Sequence, residues 1–510
     1  MKTKRIIAGL IAAALVCSSA GCKKEKSGEK EQVKLTWLFG GAGKLADSDM
    51  VWEEYNKQLE KVMPGVKIEF KNVATSDYAE KWKLMMAAQE DVDIAWVGWM
   101  LDLQSEVTKG AFTELNDLLD KYGKDMKKEI PDFAMKKGMF NGKLYMIPIY
   151  QELADQQPVA VRTIKELSDK YLDKAKAEEV FKDETRPLKR EDMAVFEDFL
   201  EKLKQNGEIR KGVSEMFSSF FADRIGRPTG LQPIIANAYI DVNNFDGKVY
   251  NLLSDFPATK EYYKMKRDWF EKGYIRNDIL GLQDWRSDEG KENGYVMWAH
   301  SDGMNKAESE SIKYGFPIDT VRVRSTSFVN HTPPLTAVSV LSGCKEPEKA
   351  MQVIDLMNTS KGKDLYNLIC YGMEGKHYNK VSENRIEMIT QGTPFSSQNK
   401  YGYNKWIVGN ILNGYENQTE PEGYNDYVRE VNSGLTISPI MGFSFDTTEV
   451  TNELAQYDAI MKEYSDIGTG AFADWEKRLD ERNSKLKAAG CDKIVEEAQK
   501  QLKAWLKKNK

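Results

Sequence analysis

Hydrophobic residues recur with two alternating periods over residues 33–98. Apolar, β-rich runs at 33–39 and 93–97, together with alternation at every second residue over 66–70, predict three strands. Between these strands, apolar residues recur every three or four positions, which predicts two helices that each bury one face. The apolar positions are Val51, Tyr55, Leu59 and Val62 in the first helix, and Tyr78, Trp82 and Met85 or Met86 in the second. This order of strands and helices is typical of a parallel sheet covered by helices, so the predicted fold class is α/β.

The remaining chain continues with mixed elements and ends in helices. Asn141–Gly142 predicts a tight turn between apolar residues at 139–140 and 144–147. Further patterns predict strands near 155–162, 295–298 and 337–341, and helices over 190–204 and 347–357. Over 205–290 the pattern defines no order of elements. From residue 446, three apolar stripes at helical spacing predict a helical C-terminus.

The N-terminus has the features of an export signal followed by a tether. Three basic residues precede an apolar run of 11 residues, far shorter than the ~20 residues that cross a bilayer. Small residues then lead to Cys22, and this ending resembles the lipobox of bacterial lipoproteins, in which the cysteine receives lipid. Residues 1–21 are thus the predicted signal peptide and 22–32 a flexible tether. Ser19 stands where the lipobox prefers leucine, so a secretory signal cut near Ala20 remains the alternative.

The charge balance indicates which partners are excluded. The predicted signal takes three of the 73 basic residues and none of the 79 acidic ones, so the exported chain is acidic. Nucleic-acid binding demands basic patches, so nucleic acid is excluded as a partner. An exported chain with a lipid anchor and no later apolar span predicts a location on the extracellular face of the cell membrane, in a Gram-positive bacterium.

No motif selects a metal, a cofactor or a catalytic residue. The histidines are His300, His331 and His377, and the cysteines after the anchor are Cys344, Cys370 and Cys491. Because none has H-E-x-x-H or C-x-x-C spacing, we expect no metal site and no disulfide framework, although a Cys344–Cys370 bridge stays open. The many carboxylates single out no acid–base pair, so composition alone neither indicates nor excludes a glycosidase.

Several segments resemble those of a known family. They are Met63–Ile68, Asp93–Trp96, Gly110–Leu115, Asn141–Pro148, Tyr371–Tyr378 and the C-terminal stretch from Pro439–Asp446 to Lys485–Gly490. Asn141–Pro148 is the most specific, being close to the family's NGKLYAIP. On these residues the sequence resembles the extracellular sugar-binding proteins of ABC importers, the class related to maltose-binding protein. The last two segments resemble a subgroup of larger lipoproteins with an extra C-terminal domain of unknown function.

The resemblance implies a two-lobed, periplasmic-binding-protein-like fold of type II with a helical C-terminus. In this fold the ligand lies in a cleft between α/β lobes, and a hinge motion closes the lobes around it. The expected boundaries are 33–152 and about 316–372 for lobe 1, 153–315 and about 373–445 for lobe 2, and 446–510 for a helical region packed on the lobes.

Loops at the carboxyl ends of strands should contact the ligand in such a fold. The predicted ligand-binding residues are Trp99, Asp102, Tyr150, Gln151, Glu152, His300, Trp406 and Phe443. Aromatic rings suit the apolar faces of a sugar, and carboxylate, amide and imidazole groups suit its hydroxyls. Each aromatic residue could instead be core, Glu152 a solvated surface carboxylate and His300 a structural histidine.

Because no catalytic constellation stands out in the sequence, we expect binding without catalysis and without a cofactor. The expected function is capture of a carbohydrate, in particular an oligosaccharide, and its delivery to the permease subunits of an ABC importer. The expected form is a monomer held at the membrane by lipid on Cys22. Two alternatives remain: a lipid-anchored glycosidase, and a binding protein of the same fold for another solute such as a peptide.

Overall fold

Seventeen strands in small sheets form the framework of the described residues. A computed structural model describes residues 32–509 apart from 156, 185, 216, 218–220, 222–223, 283–287 and 392–393, so Cys22 and most of the predicted tether lie outside the described residues. Numbered in chain order, the strands are β1 (Val33–Gly41), β2 (Val66–Ala74), β3 (Ile94–Gly98), β4 (Met139–Phe140), β5 (Lys143–Leu144), β6 (Ile147–Pro148), β7 (Val159–Ile164), β8 (Leu231–Ile235), β9 (Ala238–Asp241), β10 (Tyr250–Asn251), β11 (Met297–Ser301), β12 (Ile318–Arg324), β13 (Phe328–Val329), β14 (Thr336–Val340), β15 (Tyr378–Lys380), β16 (Ile386–Met388) and β17 (Thr436–Ile437).

The first lobe is built on a five-stranded sheet of order β2-β1-β3-β14-β6. β1 pairs in parallel with β2 and β3, whereas β14 runs antiparallel to β3 and β6. The predicted order of three strands and two helices is therefore confirmed. The helices of this lobe are Ser48–Val62, Tyr78–Ala88, Leu103–Thr108, Asn116–Tyr122, Met126–Glu129, Asp132–Lys137, Pro347–Asn358, Lys363–Tyr371 and Tyr424–Ser433. Their apolar faces enclose one core, in which Trp37, Tyr55 and Trp96 are fully buried.

The second lobe is centred on a three-stranded antiparallel sheet of order β11-β7-β12. Its helices are Lys165–Tyr171, Lys174–Lys182, Ala194–Gln205, Lys260–Glu271 and Lys306–Tyr314. The core contains an aromatic cluster in which the rings of Phe196 and Phe217 meet edge to face at 5.4 Å, and Phe217 stacks on Trp269 at 5.7 Å. β7, the central strand, is buried along its whole length.

The C-terminal helices build a third core together with a hairpin from the middle of the chain. They are Thr451–Glu463, Trp475–Ala488 and Cys491–Lys508, close to the three predicted helices. Ile494, Ala498 and Leu502 are fully buried against the three-stranded sheet of β8, β9 and β10. Among the described residues, no helix combines the length and the apolar character that crossing a membrane requires.

Two predicted lobe boundaries differ from the structure. Residues 318–324 form β12 and pair with β7, so they belong to the second lobe and not to the first. Most of 373–445 belongs to the first lobe instead of the second, since side chains such as Tyr403 and Ile411 are buried in its core. Strand partners far apart along the chain decide both assignments, and local hydrophobic patterns do not report them.

Three segments, at 153–158, 325–335 and 434–440, join the lobes. β13 and β17, from two of these segments, pair in parallel. The third segment, 153–158, is hydrogen-bonded to the segment 325–335, because the backbone N–H of Asp155 donates to Phe328 O at 2.9 Å. The crossing region is thus a hydrogen-bonded unit that couples the lobes.

A buried ion pair anchors this crossing region to the first lobe. Lys137 Nζ lies 2.5 Å from Asp155 Oδ2, and the two side chains are 4% and 8% exposed. Asn330 completes the arrangement, because its N–H donates to Asp155 Oδ2 at 2.7 Å and its carbonyl accepts from Lys137 Nζ at 3.2 Å. One helix of the first lobe and two crossing segments therefore meet at a single pair of charges.

Candidate ligand-binding cleft

A cavity of about 360 Å³ lies between the two lobes. The first lobe and the crossing segment contribute Gln151, Glu152, Gln157, Trp406, Thr419, Glu420, Pro421 and Tyr424 to its lining. The second lobe contributes Ser301, Asp302, Gly303, Met304, Lys306, Ser309, Glu310 and Lys313. Two neighbouring cavities, of about 340 and 470 Å³, share residues of the second lobe with it, so the cleft continues along the helix Lys306–Tyr314, called here the cleft helix.

A larger groove of about 1440 Å³ lies on the outer face of the first lobe. It runs beside the edge strand β2 and the helix Ser48–Val62 and is lined by this lobe alone. We favour the interlobe cleft as the binding site, because side chains from both lobes face the same space there, whereas one lobe alone lines the larger groove.

The first-lobe wall holds its polar side chains through hydrogen bonds. Tyr424 O–H donates to Glu152 Oε1 at 2.6 Å, and burial, followed by the Glu152 charge, raises the pKa of Tyr424 well above its usual value. Gln151 donates from Nε2 to Thr336 Oγ1 at 2.7 Å. Asn432 donates to the carbonyl of Gln151 at 2.7 Å. The strand-end residues 151 and 152 are thereby oriented before any ligand arrives.

Residues 416–424, called here the cleft loop, form much of the same wall. Glu416 accepts from the backbone N–H groups of Gly423 and Asn425 at 3.0 and 2.9 Å. Glu420 pairs with Lys405 Nζ at 2.8 Å and also accepts from the backbone N–H of Asn417 at 3.1 Å. These internal bonds give residues 416–423 a defined shape without a helix or a strand, and Tyr424 begins the helix Tyr424–Ser433.

The second-lobe wall is charged. Glu310 of the cleft helix lies 3.5 Å from Arg162 Nη2, and Arg162 donates to the carbonyl of Ser301 at 2.7 Å. Asp302 pairs with Arg322 at 2.5 Å. Lys306 and Lys313 lie on the cleft helix on either side of Glu310. The cleft therefore offers hydrogen-bond acceptors and donors from both walls.

Three of the predicted site residues line the cavity, namely Gln151, Glu152 and Trp406. The half-buried Trp406 ring packs 5.6 Å from that of Trp96. Tyr150, at 8% exposure, lies in the first core beneath this wall.

The other predicted site residues lie outside the cavity lining. Trp99 follows β3 and is 58% exposed, while Asp102 caps the helix Leu103–Thr108 by accepting from Ser105 N–H at 3.0 Å. His300 immediately precedes the lining residue Ser301, and its Nδ1 bonds with that residue's hydroxyl at 3.0 Å. Phe443 is 4% exposed and packs on Trp505 in the third core, which makes it a core residue.

Sequence reasoning missed the cleft loop and the cleft helix. Neither Tyr424 nor Glu310 belongs to the predicted set, although both line the cavity. A possible signal was the amphipathic spacing of Lys306, Glu310 and Lys313, which places three charged groups on one helical face. Among the described residues, no group of three or more His, Cys, Asp or Glu side chains is arranged to hold a metal ion.

Comparisons with known proteins agree with this architecture. Residues 42–154 match the family described as bacterial extracellular solute-binding protein, and residues 439–507 match a domain of unknown function, DUF3502. The chain is 26% identical over 504 residues to a carbohydrate ABC transporter substrate-binding protein of Streptococcus pneumoniae, covering 96% of this chain and 94% of that protein.

Solved structures show the same fold. The N-glycan transport solute binding protein of Streptococcus pneumoniae superposes with a TM-score of 0.76 at 23% identity, covering 94% of this chain and 100% of that one. Its complex with Man5GlcNAc gives a TM-score of 0.69 at 23% identity, covering 94% and 99%. An alginate-binding protein gives 0.58 at 16% identity, covering 93% and 98%. The chain therefore has the two-lobed fold of the bacterial extracellular solute-binding proteins and carries their family signature in residues 42–154.

Proposed function

We propose that this protein captures an oligosaccharide outside the cell and delivers it to the permease of an ABC importer. The observation that carries the proposal is the interlobe cleft, whose walls combine hydrogen-bonding side chains with the aromatic residues Trp406 and Tyr424. A sugar presents apolar C–H faces and a rim of hydroxyls, and this combination of side chains suits both. Two comparisons with S. pneumoniae support the proposal: a curated relative is named a carbohydrate ABC transporter substrate-binding protein, and a solved structure with the same fold contains Man5GlcNAc.

The proposed site centres on Gln151, Glu152 and Trp406 of the first lobe, with Tyr424 supporting Glu152. Residues of the cleft helix complete it from the second lobe. A ligand that contacts both walls binds the closed state better than the open one, so binding and hinge closure are coupled.

We further propose that the chain works as a monomer without enzymatic activity, held on the extracellular face of the membrane by lipid on Cys22. The predicted tether would let the lobes reach a permease in the same membrane.

A glycan-binding assay tests the proposed function. The soluble chain, starting after Cys22, is titrated by calorimetry with Man5GlcNAc, Man1GlcNAc, and malto-, xylo- and alginate-derived oligosaccharides. We expect at least one to bind, a smaller radius of gyration at saturation, and recovery of every sugar intact. Failure to bind any glycan, or shortened products, would refute the proposal.

A matched pair of variants locates the site. Glu152→Gln keeps the side-chain volume but removes the charge, so we expect weaker binding of the same glycan with an unchanged fold. Glu114→Gln is the control, because Glu114 lies on the exposed first-lobe surface, where it pairs with Lys143 at 2.7 Å. Equal affinities for the two variants would exclude Glu152 from the site.

A further inference from the structure

The cleft helix presents a buried carboxylate to the ligand cavity. Glu310 is 4% exposed, yet it lines the cavity between the lobes. Its Oε1 lies 3.5 Å from Arg162 Nη2 and 3.6 Å from Lys306 Nζ. Its Oε2 meets no donor in hydrogen-bonding geometry within the described part of the chain, and Lys313 Nζ is 3.9 Å from it. Because an unsatisfied buried carboxylate oxygen is costly, an additional donor at this atom is favourable.

Three cations keep this carboxylate ionised. Burial alone raises a carboxyl pKa, but the charges of Arg162, Lys313 and Lys306 outweigh burial here and lower the pKa of Glu310. Ionised Glu310 accepts hydrogen bonds and donates none. The Tyr314 hydroxyl is a neighbouring donor, since burial and the Glu310 charge raise the pKa of Tyr314. A ligand hydroxyl that enters the cavity supplies a further donor to the same carboxylate.

The position of Glu310 is fixed from behind. Arg162 lies on the central strand β7, is 1% exposed, and is held by its bond to the carbonyl of Ser301. A carboxylate held by a rigid strand and a helix loses little side-chain entropy when a ligand binds. Such pre-positioned acceptors discriminate strongly, since a ligand without the matching donor leaves them unpaired.

We propose that Glu310 accepts a hydrogen bond from a hydroxyl of the bound sugar and is the specificity-determining residue of the second lobe. This inference rests on the proposed function and extends it, because it assigns the second-lobe contact. The ligand class that follows is a neutral sugar with a free hydroxyl facing the cleft helix. Glu152 binds the same ligand from the first lobe, so both contacts form together only in the closed state.

The test compares two isosteric substitutions in the second lobe. Glu310→Gln removes the charge from the cleft, and we expect affinity to fall about 10-fold to 100-fold, the range for losing a charged hydrogen bond. Glu197→Gln is the matched control, because Glu197 is also a partly buried carboxylate, paired with Arg190 at 2.6 Å, but lies outside the cavity lining. The probe is the panel glycan that the wild type binds most tightly, with Man5GlcNAc tried first.

The outcomes separate this inference from the proposed function. Loss of affinity in Glu310→Gln, with wild-type affinity in Glu197→Gln, supports the inference. Equal affinities in both variants overturn it while leaving glycan capture intact, and a wild type that binds no glycan overturns both. If Glu310→Gln does not fold, hydrogen exchange of the wild type decides. Ligand-dependent protection of 306–314 supports the contact, and unchanged exchange refutes it.

Discussion

Lys137→Met should destabilise the protein far more than the loss of an exposed lysine. The substitution keeps an apolar stem but leaves Asp155 buried without its cation. The hydrogen bond from Asn330 N–H remains, so the carboxylate keeps one partner. Removing one member of a buried pair costs about 3–5 kcal/mol, and we expect a loss of that size in the free energy of unfolding.

The assay is urea denaturation with linear extrapolation to water, followed by tryptophan fluorescence. Lys143→Met is the control, since the Lys143–Glu114 pair has side chains that are 55% and 45% exposed, and such pairs contribute about 0–1 kcal/mol. The double variant Lys137→Met/Asp155→Asn should lose less than Lys137→Met alone, because no buried charge is left unpaired.

The pH dependence of the unfolding free energy provides a second test of the ion-pair account. Burial raises the pKa of Asp155, and the Lys137 charge opposes that shift. In Lys137→Met the Lys137 charge no longer opposes this shift. As the pH falls, Asp155 is protonated in the folded state, and the cost of burying an unpaired carboxylate disappears. The difference in unfolding free energy between Lys137→Met and the wild type should therefore decrease as the pH falls. A Lys137→Met loss no greater than that of Lys143→Met, or a gap that widens toward acid, would contradict the ion-pair account.

Three other predictions concern the ends of the chain and the crossing region. Cys22→Ser should move the protein from the membrane fraction to the medium and abolish labelling with a radioactive fatty acid; a wild type that takes up no label would contradict the anchor. Burial and the Lys137 charge lower the pKa of His331 to about 3, so the unfolded chain binds a proton at His331 between about pH 6.5 and 4 while the folded chain does not. The free energy of unfolding should decrease as the pH falls through that window. His331→Gln should make the plot of unfolding free energy against pH less steep, by up to about 1.4 kcal/mol per pH unit. Equal slopes for the variant and the wild type would exclude His331 as the cause. Truncation before residue 439 should uncover the apolar face of β8–β10 and give an aggregating or low-melting product in thermal denaturation, whereas a truncated chain that melts with the wild type would refute the role of the third core.

Local patterns predicted the elements whose signals lie within a few residues. The first three strands and two helices follow their hydrophobic periods. The Asn141–Gly142 turn joins β4 to β5 as predicted, with positive φ values of 51° and 80° that asparagine and glycine tolerate. Both predictions depend only on near neighbours along the chain.

Features that depend on distant partners were not predictable in this way. β12 pairs with β7 across about 150 residues of chain, and no local pattern names that partner. The cleft loop has no hydrophobic period because its shape depends on contacts such as the Glu420–Lys405 pair. Position alone selected Glu152, which lines the cavity, and the same argument selected Trp99, which does not. Strand ends indicate an edge of the sheet without specifying side-chain direction.

The third core bears on what the region of unknown function does within this chain. β8–β10 is contributed by the second-lobe part of the sequence, and its apolar face is covered by the helix Cys491–Lys508. Further contacts also lead to the second lobe: the rings of Tyr263 and Trp475 stack at 6.5 Å, and Arg267 donates to the carbonyl of Ala471 at 3.1 Å. Since a sheet with one uncovered apolar face is not stable alone, the C-terminal region completes the second lobe and is not an independent domain. If ligand binding closes the hinge as proposed above, these helices move together with the cleft helix. Any surface that they offer to a partner then changes its position relative to the first lobe.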